Sequence, residues 1–363
     1  MKYLSINYDS IDSTVEIKCK NSKIGKNSKI GKNSKIFANN IMIGDNVIIG
    51  EGVKIFSENV IIGDNSQIDD RSNIFAIEKF ELGRRSNLCL CDIKGRRIKI
   101  GDDFFSSVPS GEKLTIGGGA WSYPKSILII GDRCTVHDIF INIAMQVEIG
   151  NDVGISQKTS FFTHYFWNSI FEGYPQKFEG VKINDGCIIG ANSIFLPGTK
   201  IGKNSVIGAG SIITKKFPSD CIIGGNPAKI IKKNIKKNIP TKNKLQLLKN
   251  SIQWYVKILQ TKGFTVKSQK GINHVLIKNK KKIILCYDDK SSKKSNYRRI
   301  VLTFEPIKPI KNETIINLNK KTIEGKEDEI TDDLRDFLRK IGIRIFTKRK
   351  FNSIKYEVNF QLE

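Results

Sequence analysis

Histidine is scarce in this chain: 363 residues contain three, His137, His164 and His274. A metal centre of clustered imidazoles would need all three together, and they lie in separate stretches, so no metal is expected. The seven cysteines (Cys19, Cys89, Cys91, Cys134, Cys187, Cys221 and Cys286) are odd in number and scattered. That argues against a disulfide framework and fits reduced thiols. Cys89 and Cys91 form a lone C-x-C without a nearby histidine, too little for a zinc site. No apolar run approaches the roughly 18 residues that span a bilayer. Residues 1–10 lack a basic start followed by an apolar stretch, so no signal peptide is expected. These absences predict a cytoplasmic location. The length leaves room for two domains, each with its own core.

Negative charge is also short. Asp and Glu number 36 against 61 Lys and Arg, a formal net charge of +25. The excess is uneven: residues 232–363 hold 33 basic side chains against 13 acidic, whereas residues 1–231 hold 28 against 23. A lysine-rich genome would raise both halves alike, so the basic excess belongs to the C-terminal part. Such a domain attracts polyanions: an anionic polysaccharide, lipid-linked phosphate at a membrane surface, or nucleic acid. No motif interleaves stacking aromatics with basic residues in the manner of a nucleic-acid binder, so nucleic acid is not favoured. Peripheral membrane contact is compatible with the charge, and so is a packing extension with a solvated basic face.

What the chain has in abundance is a six-residue repeat. Ile24-Gly25-Lys26-Asn27-Ser28-Lys29 is followed by the same six residues from Ile30, and a third copy begins before Ile36. Related units start at Ile43, Ile49, Ile62, Ile68, Leu82, Ile100, Ile130, Ile149, Ile183, Ile189, Ile201 and Ile207. Each has an aliphatic residue, a glycine or small residue, two polar residues and then a small one. A period of six matches neither a helix nor a long alternating strand. It predicts a solenoid in which short strands point one aliphatic side chain inward and Gly-Asn segments turn corners, since both residues tolerate left-handed backbone. Three corners close a triangular coil of about 18 residues, and stacked coils bury a column of Ile and Val.

These hexads resemble the hexapeptide-repeat acyltransferases, in particular the sugar and xenobiotic O-acetyltransferase branch. The resemblance implies a mainly β fold, a left-handed parallel β-helix. That hand contradicts the usual right-handed crossover and comes from the resemblance alone. It also implies a homotrimer with active sites between neighbouring helices and acetyl-CoA as co-substrate. The repeat covers about 24–215, and the domain organisation expected is a β-helix over 1–231, a basic linker over 232–243 and a smaller α+β domain over 244–363.

Insertions in a solenoid form loops, and loops carry function. Three breaks are read: at 75–98, with a basic Lys94-Gly95-Arg96-Arg97 turn, at 103–128 and at 161–180. The second contains Gly117-Gly118-Gly119-Ala120-Trp121-Ser122-Tyr123, which lacks the Gly-Lys-Ser/Thr of a phosphate loop. For Trp121 and Tyr123, packing on the solenoid wall is favoured over contact with an acceptor. The third opens on Thr163-His164 and continues with Tyr165, Phe166, Trp167 and Tyr174. Transfer of an acetyl group to a hydroxyl needs a base, and imidazole titrates near neutral pH. By resemblance, His164, after Ile149-Gly150-Asn151-Asp152-Val153 and an apolar strand, is that base. Tyr165 and Trp167 are aromatics suited to stacking on a sugar, and Asn142 resembles a position that contacts the acceptor. His137 lies one coil earlier, where stabilising a corner is favoured over lining the acceptor pocket. His274 falls in the other domain.

The hexads resume as Ile189-Gly190-Ala191-Asn192-Ser193 and end at Ile222-Ile223-Gly224-Gly225-Asn226-Pro227-Ala228-Lys229. The resemblance implies that small residues at Ala191 and Ala209 let pantetheine lie along the wall. An amide near Gly190 or Ala191 would hold the thioester oxygen. Thr214, Lys215 and Lys229 resemble contacts to the nucleotide end of CoA, where lysines neutralise phosphate.

In the C-terminal part, apolar positions from Leu245 to Leu259 predict an amphipathic helix over 245–260. Strands are expected at 264–266, 274–277, 282–287 and 300–304. A second helix is expected over 332–341 with Thr331 as its N-cap, and extended segments at 344–346 and 353–360. The function expected is acetylation of a hydroxyl on a sugar or cell-surface glycan, an anionic acceptor being the preferred partner of the basic domain. N-acetylation of an amino sugar and a non-catalytic glycan-binding solenoid are the alternatives.

Overall fold

The computed structural model describes residues 12–345, 347 and 349, apart from 119–120, 166–167, 236, 270–272, 279–280 and 288–296. The chain divides into two compact units, residues 1–237 and 238–363. The division falls inside the basic stretch expected as a linker. That stretch is shorter than expected, because a strand over Ala228–Lys232 enters one end and a helix from Thr241 enters the other.

The first unit is a parallel β-solenoid with three faces. On the first, Glu16–Lys18 pairs with Lys35–Phe37, which pairs with the start of Lys54–Ile62, and the ladder climbs to Ile212–Ile213. On the second, Asn21–Ile24 begins a ladder that ends at Lys216–Phe217. On the third, Lys29–Ile30 begins one that ends at Ile222–Gly225, where Ala228–Lys232 returns antiparallel. One aliphatic or aromatic side chain per short strand points inward. Ile36, Ile55, Ile74 and Ile93 stack in one column and Ile43, Ile62, Leu82 and Ile100 in another, all buried. The hexads therefore act as the sequence reading proposed.

Ile194 sits opposite Ile212, the expected 18 residues on, but the N-terminal coils are longer. Lys35 sits opposite Glu16 at a separation of 19 residues. The extra residue lies at the corner between the first and second faces, where hexads beginning at Ile36 and Ile43 are seven apart. In Lys54–Ile62 the strand runs through this corner with a register shift between Ser57 and Asn59.

The corners also divide their labour differently from the expectation. Left-handed backbone falls on the fourth residue of the hexad, with φ of 58° at Asn27, 57° at Asn33 and 65° at Gly52. The second-position glycines serve close stacking instead: a Cβ at Gly31 would lie 2.6 Å from the Glu51 nitrogen. Polar side chains knit the coils. The Asp45 N–H donates to Asp64 Oδ1 at 2.9 Å, and Asn151 N–H donates to Asp185 Oδ1 at 2.9 Å. Inside the wall, Ser28 Oγ donates to the Gly44 carbonyl at 2.7 Å and accepts from the Val47 N–H. Cys187 fills the same slot, with Sγ 3.1 Å from the Gly202 carbonyl, and burial pushes its thiol up to about 11. Cys134 makes the same contact, with Sγ 3.0 Å from the Gly150 carbonyl, so these two cysteines stand where other hexads have serine.

The first expected break, 75–98, is not one. Asn73–Leu82 and Cys91–Ile100 are ladder strands paired along their length, with Phe80, Ile93 and Ile98 buried. The charges of Lys94, Arg96 and Arg97 that suggested a turn lie on a strand. Excursions do occur between Ser106 and Leu114, between Gly117 and Ile127, and from 162 to 180.

The second unit packs two helices, α1 (Thr241–Thr261) and α2 (Glu329–Lys340), with a six-stranded mixed sheet. Its strands are Thr265–Gln269, Asn273–Lys278, Lys281–Tyr287, Arg298–Thr303, Glu313–Asn317 and Thr322–Gly325. The last two were not expected. α1 buries Leu248, Ile252, Tyr255, Val256 and Leu259. α2 starts earlier than expected: Asp328 is its N-cap, and Thr331 sits at the third position, its hydroxyl accepting from the Asp328 N–H in a capping box. The extended segment expected at 353–360 lies outside the described residues, as does residue 346 of the segment at 344–346. No helix among the described residues is long and apolar enough to cross a membrane.

Candidate functional site

The second and third excursions meet at the corner between the first and second faces. Ile139–Asn142 and Thr159–Phe161 are neighbouring strands of the first face, Ile141 opposite Phe161. Each leads into the corner, so Asn142 and Thr163-His164 emerge side by side, one coil apart. His164 starts a two-residue strand that pairs antiparallel with Lys177–Phe178, closing the 162–180 excursion on itself. A short 3₁₀ turn, Ile170–Glu172, capped by Ser169, shapes its tip.

One amide oxygen organises this corner. Asn142 Oδ1 lies 2.9 Å from His164 Nδ1 and accepts from Thr163 Oγ1 at 2.9 Å and from the Ala144 N–H at 3.4 Å. Thr163 Oγ1 itself accepts from the Met145 N–H at 3.1 Å, so its hydroxyl proton is directed to Asn142. An atom receiving a hydroxyl and a backbone N–H is the amide oxygen. Nδ1 of His164 must therefore carry the proton, and the lone pair falls on Nε2. Asn142 is buried, and Gly118 passes so close that a Cβ there would lie 2.6 Å from Asn142 Nδ2. With φ of 106° Gly118 holds a backbone conformation that side chains resist.

Aromatic rings support the imidazole. Phe178 stacks on His164 with centroids 5.4 Å apart and planes 14° apart, and on Tyr123 at 6.3 Å and 23°. Desolvation shifts the His164 pKa below the ordinary histidine value, which favours the neutral ring. Trp121 instead packs edge-on against Phe75 at 5.0 Å. Tyr165 is exposed beside His164, and Trp167 lies outside the described residues.

The remaining expected positions separate into two groups. Thr214 and Lys215 follow Ile213 into the same corner column as Asn142, and Lys215 Nζ lies 5.8 Å from the Phe217 ring centre. Gly190, Ala191 and Ala209 lie across the first face, at its corner with the third. Lys229 pairs with Gly224 on the third face. The Gly190 N–H is already given to the Ile207 carbonyl at 2.9 Å, which removes it as an oxyanion donor. Ala191 differs. In the same column lower down, the Glu51 N–H is taken by Asp70 Oδ1 at 2.8 Å. The pairing of Ile189 with Ile207 sets Ala191 beside Ala209, whose methyl offers no such acceptor. His137 stands apart from His164, with Nδ1 2.8 Å from Ser107 Oγ. His274 lies in the second unit.

Sequence reasoning missed Thr163, Phe178 and Tyr123 as parts of this corner. The contact between the two excursions depends on coil register, which the hexads count only up to insertion lengths.

Two family descriptions match the chain: a bacterial transferase hexapeptide over 180–215 and a hexapeptide repeat of succinyl-transferase over 23–57. Among curated proteins, the 2,3,4,5-tetrahydropyridine-2,6-dicarboxylate N-acetyltransferase of Clostridium perfringens is 46% identical over 66 residues, covering 18% of this chain and 27% of that protein. A Saccharomyces cerevisiae protein named as an acetyltransferase is 33% identical over 129 residues, covering 32% of this chain and 62% of that one. The chain thus spans about a quarter of the first of these relatives. Among solved structures, a maltose O-acetyltransferase of Clostridium difficile is 26% identical, covering 39% of this chain and 68% of that chain, with a TM-score of 0.30. The hexads over 180–215 thus match the bacterial transferase hexapeptide, and those over 23–57 the succinyl-transferase repeat.

Proposed function

From that repeat as premise, we propose that the chain is an acetyl-CoA-dependent O-acetyltransferase acting on a hydroxyl of a sugar or glycan, with His164 as general base. The observation that carries this reading is the hydrogen bond of His164 Nδ1 to Asn142 Oδ1, placed where two excursions leave the solenoid. It leaves Nε2 able to take the proton of an attacking hydroxyl. As the acceptor oxygen bonds to the acetyl carbonyl carbon, the Ala191 N–H holds the developing oxyanion. The carbon–sulfur bond then breaks, and His164 returns the proton to the CoA thiolate. No acyl-enzyme is needed. Tyr165 and Tyr123 flank the place where a sugar ring would lie.

Acetyl-CoA fits the opposite corner, where Ala191 and Ala209 leave room along the wall and an uncapped amide. Lys229 would meet its phosphates from this side, and Thr214 and Lys215, in the corner column of Asn142, from the copy that supplies the base. His164 and Ala191 of one chain lie at opposite edges of the first face, so we assign the reacting pair to two copies, the base from one and the amide from its neighbour. A closed homotrimer supplies such a cleft three times.

The test is acetyl-CoA turnover against a panel of sugars and amino sugars, with product O- or N-acetylation read by mass spectrometry. His164→Ala is expected to lower kcat/KM by about 10²–10⁴-fold, the worth of a positioned base, while acetyl-CoA binding persists. Turnover unchanged in that variant would overturn the mechanism. Exclusive N-acetylation would move the acceptor to amino sugars, and no turnover with any acceptor would favour a binding solenoid.

A further inference from the structure

The second unit holds a groove that the acetyl-transfer chemistry does not use. It has a volume of ≈ 750 Å³, within the range of small-ligand sites. One wall is the outer side of α1, with Lys249, Asn250, Gln253, Trp254, Lys257 and Gln260. The floor is the sheet, with Ser268, His274 and Tyr287.

His274 marks the groove as more than a surface hollow. Its side chain is 8% exposed, Nδ1 is engaged with Ser268 Oγ at 2.9 Å, and Nε2 is buried with no hydrogen-bond partner. A buried polar atom left unpaired costs free energy, and a ligand hydroxyl would remove that cost. A hydroxyl suits either tautomer, because it donates as well as accepts. Burial also lowers the pKa of His274, so the ring meets its ligand neutral.

Trp254 is 56% exposed, unusual for so large a ring, yet its edge is fixed against Phe337 at 5.5 Å and 81°. It is a rigid platform rather than a loose side chain. Asn250, Gln253 and Gln260 add amide donors and acceptors within reach of the same space. The charged lining is Lys249 and Lys257, and no carboxylate lines the groove among the described residues.

An aromatic face, neutral amides, an unpaired imidazole nitrogen and cations of one sign together describe a ligand with apolar ring faces, hydroxyls and negative charge. We propose that this groove binds an acidic oligosaccharide, a chain of carboxylated sugar units. Nucleic acid would satisfy the lysines, but it would leave the amide and imidazole groups of a narrow groove without a purpose. The proposal rests on the glycan acceptor reading only in supposing that the bound chain is the one to be acetylated. In that case the groove holds the polymer while a different unit of it reacts.

The experiment is titration of the full-length protein with hexameric oligogalacturonate and hexameric oligosialate, with maltohexaose and a single-stranded DNA hexamer as controls. At least one acidic hexasaccharide is expected to bind, more weakly as salt rises, and more tightly than either control. Trp254→Ala is expected to weaken it by about tenfold, and Lys249→Gln with Lys257→Gln to flatten the salt dependence. Thermal melting of each variant separates lost binding from lost folding, and Trp254→Phe should restore part of the affinity. Equal affinity for maltohexaose, tighter binding of DNA, no binding of either acid, or indifference to Trp254→Ala in a folded variant would each overturn the proposal. His164→Ala keeps the two readings apart. Binding retained with no turnover in the wild type sinks the transferase reading alone, whereas turnover without groove binding sinks the groove alone.

Discussion

His164 gains its chemistry from its surroundings rather than from its type. Half-burial against Phe178 disfavours the imidazolium, and Asn142 fixes which nitrogen carries the proton. A lowered pKa means that the neutral, reactive ring persists as pH falls to the ordinary histidine value and is lost only below it. The acid limb of kcat/KM is therefore expected to have its midpoint below about 6.5, with no further rise above pH 7. A rate profile with its acid midpoint above pH 7 would contradict the assignment. That His164 opens a loop leaving the solenoid was legible from its place after a hexad break. Its orientation was not, because Asn142 stands 22 residues away in sequence and meets it only through coil stacking.

At the scale of elements, helix starts were harder to read than helix faces. The apolar spacing of α1 was plain, yet the helix begins at Thr241, before the first apolar position. In α2 the acidic stretch Asp328 to Asp333 offers several capping residues, and only the backbone decides among them. Asp328 takes the role by accepting from the Thr331 N–H at 3.2 Å, and the Thr331 hydroxyl closes the box on the Asp328 N–H at 2.7 Å. Asp328 also meets Arg298 at 2.9 Å. Asp328→Ala should cost about 1 kcal/mol, the ordinary worth of an N-cap, read from the denaturant midpoint of the second unit's transition. Thr331→Ser should cost less, since it keeps the hydroxyl. The charged run at 94–97 misled for a related reason: a strand on a solenoid wall presents alternate residues to solvent, so Lys94 and Arg97 can be charged without any turn.

For the whole molecule, the separation of the two corners has a direct consequence. If base and oxyanion donor come from neighbouring copies, two differently disabled chains can complement each other. His164→Ala removes the base, and Ala209→Trp obstructs the wall where pantetheine would lie. Each alone should be inactive, while a random one-to-one mixed assembly should regain activity at roughly a quarter of its sites. A mixture as inactive as its components would place the whole site within one chain. The sequence by itself determined the solenoid, because a period of six allows one inward residue per strand and a corner residue between strands. It also determined the charge imbalance between the two units and that insertions fall within 103–128 and 161–180. Tertiary structure alone decided which breaks meet and which histidine nitrogen carries the proton. Each of those depends on residues a full coil or more apart, brought together by stacking whose register the insertions reset.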